Sequence, residues 1–130
     1  MSRSSLLRRV LQDFLLSVCA RVYYQRAAPE AAFPRLVFDL PNSFDDGQFE
    51  VYRLEVDGWD DSSDTSVLED LMAAVDGDGD MESPTGLHRK VLSTDDLTAT
   101  VFRESRLSLI DDDERLRRRQ YVYAVKVYKG

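Results

Sequence analysis

Residues 118–128 read RRQYVYAVKVY, and this stretch decides the fold class. Aromatic and β-branched side chains occur there at every second position, which is the pattern of a strand with one buried face. That face would carry Tyr121, Tyr123, Val125 and Val127. Residues 98–109 are also rich in β-branched and apolar side chains, and the acidic residues 111–114 between the two stretches are typical of a hairpin tip. The sequence therefore predicts two long closing strands.

Two earlier segments place apolar residues three and four positions apart, which is the spacing of an amphipathic helix. The first covers residues 4–20, where Ser4 or Ser5 would cap the first turn. The second covers residues 65–75, and Asp64 before it could accept the unpaired N–H groups of its first turn. One helix is expected before the strands and one in the middle of the chain.

Three further strand signals lie between the two helices, at residues 22–25, 36–40 and 49–59. Residues 41–48 contain Pro, Asn, Ser, Asp and Gly and are predicted to form a turn. Short turns favour antiparallel pairing, and the apolar helix stripes need a sheet face to cover. We therefore expect a single α+β domain over residues 1–130, with a mostly antiparallel sheet of about four to five strands and two helices packed on one face.

The net charge of −7 is unevenly distributed, because residues 36–82 carry 15 acidic residues against one basic residue. A protein that binds duplex DNA gains most of its affinity by neutralising phosphates with Lys and Arg, so this balance argues against tight nucleic-acid binding. No apolar run approaches the roughly 20 residues of a membrane span, and a protein made in the cytosol without membrane contact is expected. The single cysteine, Cys19, excludes an intrachain disulfide and is expected in the core.

Two acidic clusters could hold a divalent cation. In residues 76–80, Asp alternates with Gly as at the start of an EF-hand loop. The rest of that motif fails, because Met81 stands at the position of its glycine and Leu87 at that of its last ligand. The second cluster contains Asp57, Asp60, Asp61 and Asp64. Solvated turns are the simpler interpretation of both clusters, and weak Ca²⁺ or Mg²⁺ binding is the alternative.

No catalytic arrangement can be assembled from the sequence. The single histidine, His88, stands beside Arg89 and Lys90 in a polar loop, away from any evident nucleophile. Neither glycine-rich phosphate-binding motif is present, so no nucleotide or other cofactor is expected. These observations favour a protein that contacts other proteins over an enzyme.

Two features suit such contacts. The basic run after the acidic tip is expected to form local ion pairs or a subunit contact, and it consists of Arg115, Arg117, Arg118 and Arg119. Aromatic residues are numerous for so small a sheet, namely Tyr52, Trp59, Tyr121, Tyr123 and Tyr128. Core packing is the ordinary role for them, and an oligomer interface is the alternative, since tyrosine and tryptophan are enriched at interface centres.

The order of these elements resembles that of the bacteriophage tail-completion, or tail-terminator, family. The resemblance covers nearly the whole chain and begins with the amphipathic helix at residues 6–20. A Val-Tyr-Tyr phrase and an Ala/Pro-rich loop ending in Phe33-Pro34 follow, and then a long strand leads to Trp59. An Asp/Ser-rich cap with its helix at residues 60–75 and a closing hairpin of alternating Tyr and Val complete it. The long acidic loop after the second helix departs from the family pattern.

The resemblance implies an α+β structural protein of the virion that forms a hexameric ring, ends tail-tube growth and joins tail to head. Its partners would be copies of itself, the tail-tube protein and the head–tail connector. DNA would pass the ring without specific binding, because acidic surfaces repel phosphate. A head-closure or connector protein of similar size is the alternative within this class, and a Ca²⁺- or Mg²⁺-regulated binding module is the alternative outside it.

The resemblance also suggests which residues would meet partners. Trp59, Asp60 and Asp61 would lie where a strand passes to a helix, and the loop with Asp78 and Asp80 would form a rim or partner contact. A head-to-tail ring requires two different complementary patches on each subunit. The acidic middle of one copy facing the basic run (Arg115, Arg117, Arg118 and Arg119) of the next could supply them.

Overall fold

The computed structural model describes residues 2–129, and this part of the chain forms two helices and six strands. In chain order they are α1 (Arg3–Val18), β1 (Val22–Tyr24), β2 (Arg35–Asp45), β3 (Phe49–Asp60), α2 (Ser66–Asp76), β4 (Val91–Thr94), β5 (Leu97–Leu109) and β6 (Arg117–Tyr128). The α+β class is confirmed. None of the helices within residues 2–129 has the length and apolar character that crossing a membrane requires.

The six strands form one sheet in the order β1-β2-β3-β6-β5-β4. Strands β1 and β2 run parallel, and every other neighbouring pair is antiparallel. The central pair, β3 with β6, is matched along its full length, from Phe49 opposite Tyr128 to Asp60 opposite Arg117. The expected four to five strands are six, because the sequence gives little sign of β4. Only Leu92 of its four residues is buried, so no alternation of apolar and polar residues marks it.

Strand β2 is longer than predicted. Residues 41–45, expected in a turn, continue the strand beyond an irregularity in pairing between Asp39 and Asn42. Pro41 is tolerated because it lies at this irregularity, and because its missing N–H is not needed on an unpaired outer edge. The turn itself is confined to residues 46–48, where Oδ1 of Asp46 accepts the N–H of Phe49 at 2.7 Å.

The hydrophobic core lies between the helices and one face of the sheet. The helices contribute Leu7, Leu11, Leu15, Leu68, Met72 and Val75, all with no exposed surface. Burial of each such side chain stabilises the fold by about 1.5–3 kcal/mol. The predicted strand alternation is confirmed on β3 and β6, since Leu54, Val56, Tyr123, Val125 and Val127 are buried beneath the helices. Cys19 is buried in the same core, as expected.

Glycine at position 58 allows α2 to approach β3 closely. A Cβ atom there would lie 2.5 Å from Sδ of Met72 and 3.0 Å from Cδ1 of Leu68. Both distances are shorter than ordinary van der Waals contact, so a larger residue would push the helix away from the sheet. The absence of a side chain at Gly58 therefore sets the spacing between the two layers.

Both helix starts differ from the predicted ones by one or two residues. Ser2, not Ser4 or Ser5, is the N-cap of α1, and its Oγ accepts the N–H of Ser5 at 3.2 Å. The N-cap of α2 is Thr65, whose side chain makes no capping bond. Asp64 instead accepts the N–H of Ser66 at 2.9 Å. Several hydroxyl and carboxyl side chains precede each helix, and the sequence does not say which of them will cap.

Candidate functional site

One face of the sheet is not covered by the helices, and we call it the open face. The side chains that alternate with the core residues on β2, β3, β5 and β6 point to it. Nine large apolar side chains are exposed in the described part of the chain, and the open face holds five of them: Phe44, Val91, Phe102, Leu107 and Tyr128. Because more than half of the exposed large apolar side chains lie on this one face, it is the candidate surface for contact with another protein.

The predicted basic run is divided between the two faces of the sheet. Arg118 lies on the open face, where it donates to Oδ2 of Asp57 at 2.5 Å and its Cζ lies 4.9 Å from the ring centroid of Trp59. Burial raises the pKa of Asp57, and Arg118 opposes that shift. Arg119 points to the helix side and donates to Oε1 of Glu69 at 2.7 Å. The run is therefore not one continuous patch, because strand alternation separates its members.

The remaining two arginines lie at the start of β6 and at the hairpin tip. Arg117 donates to the backbone carbonyl of Glu114 at 2.7 Å and forms no ion pair with any described residue. Arg115 donates to both carboxylate oxygens of Asp113, at 3.0 and 2.8 Å. The Arg115 guanidinium, and after it the Arg115 backbone N–H, lowers the pKa of Asp113 to about 2. Three of the four arginines thus form ion pairs within the subunit, and of these only Arg115 pairs with a residue close to it in sequence.

The end of β3 brings several predicted contact residues together. The register places Trp59 opposite Arg118 and Asp60 opposite Arg117. Trp59 is half-buried on the open face, whereas Asp60 is only 5% exposed, and its Oδ1 accepts the N–H of Asp61 at 2.9 Å. Asp61 is exposed and shares a shallow depression with Arg115. The predicted strand-to-helix site is therefore one region at this end of the sheet, divided between its two faces.

Asp78 and Asp80 lie apart from that region, in the loop between α2 and β4, where Gly77 and Gly86 are in contact. The backbones of Gly77 and Gly86 meet there: a Cβ on Gly77, whose φ is +77°, would lie 2.1 Å from the Gly86 nitrogen. Oδ1 of Asp78 accepts the backbone N–H of Thr85 at 3.1 Å, and the backbone N–H of Asp78 donates to Oγ1 of Thr85 at 3.0 Å. The N–H groups of Asp80 and Thr85 lower the pKa of Asp78. Its carboxylate therefore organises the loop.

The geometry does not favour a cation site in either acidic cluster. Oδ1 of Asp80 accepts the N–H of Glu82 at 2.9 Å, so this carboxylate is also used by the loop backbone. Asp57 points to the open face and Asp60 to the opposite one, which separates the second cluster. Over residues 2–129, no group of three or more His, Cys, Asp or Glu side chains is placed to hold a metal ion.

Asp76 is not the solvated turn residue that the sequence suggested. It ends α2 and is 5% exposed, and its carboxylate accepts the Tyr123 hydroxyl at 2.9 Å and Arg103 at 2.5 Å. Burial, together with the Asp76 charge, raises the pKa of the Tyr123 hydroxyl well above its ordinary value. The only sequence signal for this site was a tyrosine on the core face of β6, since a buried tyrosine hydroxyl needs a hydrogen-bond partner.

His88 supports the same part of the fold. Its Nδ1 accepts the backbone N–H of Arg103 at 3.0 Å, next to the irregularity in pairing between Arg103 and Ser105. A Cβ on Gly79 would lie 2.9 Å from the His88 ring, so the acidic loop packs against this histidine. The ring thus satisfies a backbone donor on the outer edge of β5, a structural role that was not predicted for this loop residue.

Fold and surface together define an α+β sandwich whose distinguishing feature is an open sheet face with exposed apolar side chains. No family model matches the chain, and no curated protein matches it in sequence. Among solved structures, it is similar in fold to a chain described as "Virion of native gene transfer agent (GTA) particle", with a TM-score of 0.64 and 13% sequence identity. The similarity covers 95% of this chain and 92% of that one, so nearly the whole fold is shared.

Proposed function

We propose that this chain is a structural subunit of a phage-like virion, which assembles as a ring at the end of the tail tube, ends tube growth and joins tail to head. The observation that carries the proposal is the fold shared, over nearly its whole length, with a chain of a gene transfer agent virion. The resemblance of the element order to tail-completion proteins supports the same role.

The surface chemistry supports assembly in place of catalysis. Exposed apolar side chains are spread over the open face, whereas the polar groups with unusual environments are used inside the fold. Asp76 is neutralised by Arg103, and His88 accepts a backbone N–H. Within residues 2–129, these two groups are thereby occupied in holding the fold together, and we propose that the chain is not an enzyme.

The proposed partners are further copies of this chain, the tail-tube protein and the head–tail connector. The divided region at the end of β3, with Trp59, Asp61 and Arg117, and the closed acidic loop would face these partners. DNA would pass without specific binding, since the net charge of −7 repels phosphate. A head-closure or connector role is the alternative, and it would place the same ring on the head side of the joint.

Tube growth provides the test. Purified chain added to polymerising tail-tube protein should stop elongation and give short tubes capped at one end, visible by electron microscopy. A matched sample with heat-denatured chain should give tubes of unlimited length. If native chain leaves the tubes equally long but binds purified connector, the head-closure role is favoured. Binding to neither component would contradict the virion proposal.

A further inference from the structure

The two outer edges of the sheet are stepped in a complementary way. On one edge, β1 covers only the first part of β2, through Leu36–Phe38, and leaves residues 42–45 without a neighbour among the described strands. On the other edge, β4 covers only the first part of β5, through Leu97–Thr100, and leaves residues 105–109 without one. Each edge therefore has one projecting short strand and one recessed segment of a long strand.

Residues that pair with one another across all the strands form a row that crosses the sheet from one edge to the other. The projecting strand of each edge lies in the same rows as the recessed segment of the opposite edge. Val91 on β4 pairs with Thr100, which is level with Lys126, Val51 and finally Phe44 on β2. Tyr23 on β1 pairs with Val37, which is level with Asp57, Gln120 and finally Leu107 on β5. Projecting β4 is thus level with the recess beside β2, and projecting β1 is level with the recess beside β5.

The side chains at these positions are apolar and point to the open face. Val91 is 60% exposed and Phe44 is 61% exposed, and they stand in the same row at opposite edges of the sheet. Leu107 is 42% exposed and shares a row with half-buried Tyr23. Each recessed segment therefore carries an apolar side chain in the same row in which the projecting strand of the opposite edge carries a second apolar side chain.

We propose that copies of this chain join head to tail through these stepped edges, β4 of one copy lying beside β2 of the next and β1 of that copy lying beside β5 of the first. The inference rests on the proposed ring and names the surface that would form it. Strand directions in the sheet make the first contact parallel and the second antiparallel, which are both ordinary ways to extend a sheet. Val91 would meet Phe44, and Leu107 would meet Tyr23.

The joint has the properties that a closed ring needs. It is heterologous, because the two edges are different surfaces, so copies can continue around a rotation axis. The rows at the two ends of the sheet gain five strands per copy, since β1 supplies the fifth strand in the lower rows and β4 in the upper rows, whereas the row of Asp39 between them holds four. At a strand spacing of about 4.8 Å, each copy adds about 24 Å of circumference. Pro41 limits pairing of the β2 edge to the residues that follow it, which guards against unspecific edge contacts.

Cysteine cross-linking tests the joint. The double variant Phe44→Cys with Val91→Cys, made in a Cys19→Ser background, places the two thiols on one row of the proposed contact, where neighbouring strands are close enough for a disulfide. Mild oxidation should give a ladder of covalent oligomers on a denaturing gel. Each single variant is a control, and so is Phe44→Cys with Leu16→Cys, which moves the second thiol to an exposed position on α1.

The outcomes separate the joint from the proposed function. A ladder from the Phe44/Val91 pair alone supports the joint. Cross-linked dimers from a single variant would show a two-fold contact and overturn it. Absence of the ladder while light scattering still reports a ring would overturn the joint and leave the ring standing. Absence of both the ladder and any oligomer, with or without tail tubes, would overturn the joint and the ring together.

Discussion

Replacing Asp76 with alanine removes the carboxylate that joins α2 to the sheet. In the folded protein the Asp76 side chain is buried, and its carboxylate accepts bonds from both the Tyr123 hydroxyl and the Arg103 guanidinium. Removing one partner of a buried ion pair costs about 3–5 kcal/mol, because the other charge stays behind uncompensated. The Arg103 side chain is 28% exposed, so water can replace part of the lost contact. We therefore expect a loss near the lower limit, about 3 kcal/mol.

A double-mutant cycle isolates the hydrogen bond between Asp76 and Tyr123. Tyr123→Phe removes only the hydroxyl, and its bond to a charged acceptor predicts a loss of about 1.5–3 kcal/mol. In the Asp76→Ala background the same substitution should cost much less, since the hydroxyl has already lost its acceptor. We expect a coupling energy of about 1 kcal/mol or more between the two positions.

Urea unfolding measures these differences, with the fluorescence of the single tryptophan, Trp59, and circular dichroism as independent probes. Asp70→Ala is the matched control, because Asp70 is an exposed acid on the same helix and its removal should change stability by less than about 0.5 kcal/mol. Equal losses for the Asp76 and Asp70 variants, or strictly additive losses in the cycle, would refute the assignment of Asp76 as a buried link.

Three further outcomes follow from the contacts described above. Asp113 should titrate near pH 2 by NMR, and Arg115→Gln should return the pKa of Asp113 towards 3.8. Because the pKa of Asp113 is lowered in the folded state, the stabilising contribution of the ion pair is complete above the ordinary pKa and is lost as pH falls towards 2. An unchanged titration in the variant would disprove the pairing. Gly58→Ala should destabilise the fold by about 1–3 kcal/mol in the same urea assay, since the added Cβ meets Met72 and Leu68, and a neutral result would show that α2 can shift without cost. Arg117→Gln should weaken binding to tail tubes most strongly at low salt, because the Arg117 guanidinium forms no ion pair within the described residues and is left for a partner. Binding that is the same at every salt concentration would count against a charged partner contact at this position.

Periodic parts of the fold could be predicted from the sequence. The helix stripes and the alternation on β3 and β6 follow directly from burial on one face, and the structure buries Leu11, Leu54 and Val125 accordingly. Each of these segments is long enough for its period to be visible. The α+β class follows from them, because two striped helices and a one-sided sheet have few other ways to pack.

The features of the fold that the sequence did not predict depend on contacts between segments that are distant in sequence. Strand β4 has four residues and one buried side chain, so its existence is decided by pairing with β5. The parallel pairing of β1 with β2 is equally non-local, and the sequence offered only turns that favour antiparallel neighbours. Residues 41–45 look like a turn because proline and asparagine are usual there, yet the neighbouring β3 holds them extended.

In the candidate site, too, contacts between residues close in sequence were predictable, whereas contacts between distant segments were not. Ion pairing near the hairpin tip was expected from adjacent charges, and Arg115 does bind Asp113. The partners of Arg118 and Arg119, which are Asp57 and Glu69, lie far away in sequence and could not be read from it. Asp76 was misjudged for the same reason, since Arg103 and Tyr123 reach it only in the folded sheet.

The proposed function requires this chain to close into a ring, and native mass spectrometry can detect that ring in solution. Purified chain should be measured over a range of concentrations, both alone and on isolated tail tubes. We expect one discrete assembly whose mass is a fixed multiple of the chain mass, with six copies as in the tail-terminator family that the sequence resembles. A monomer under every condition, or a series of masses that grows without a limit, would contradict it.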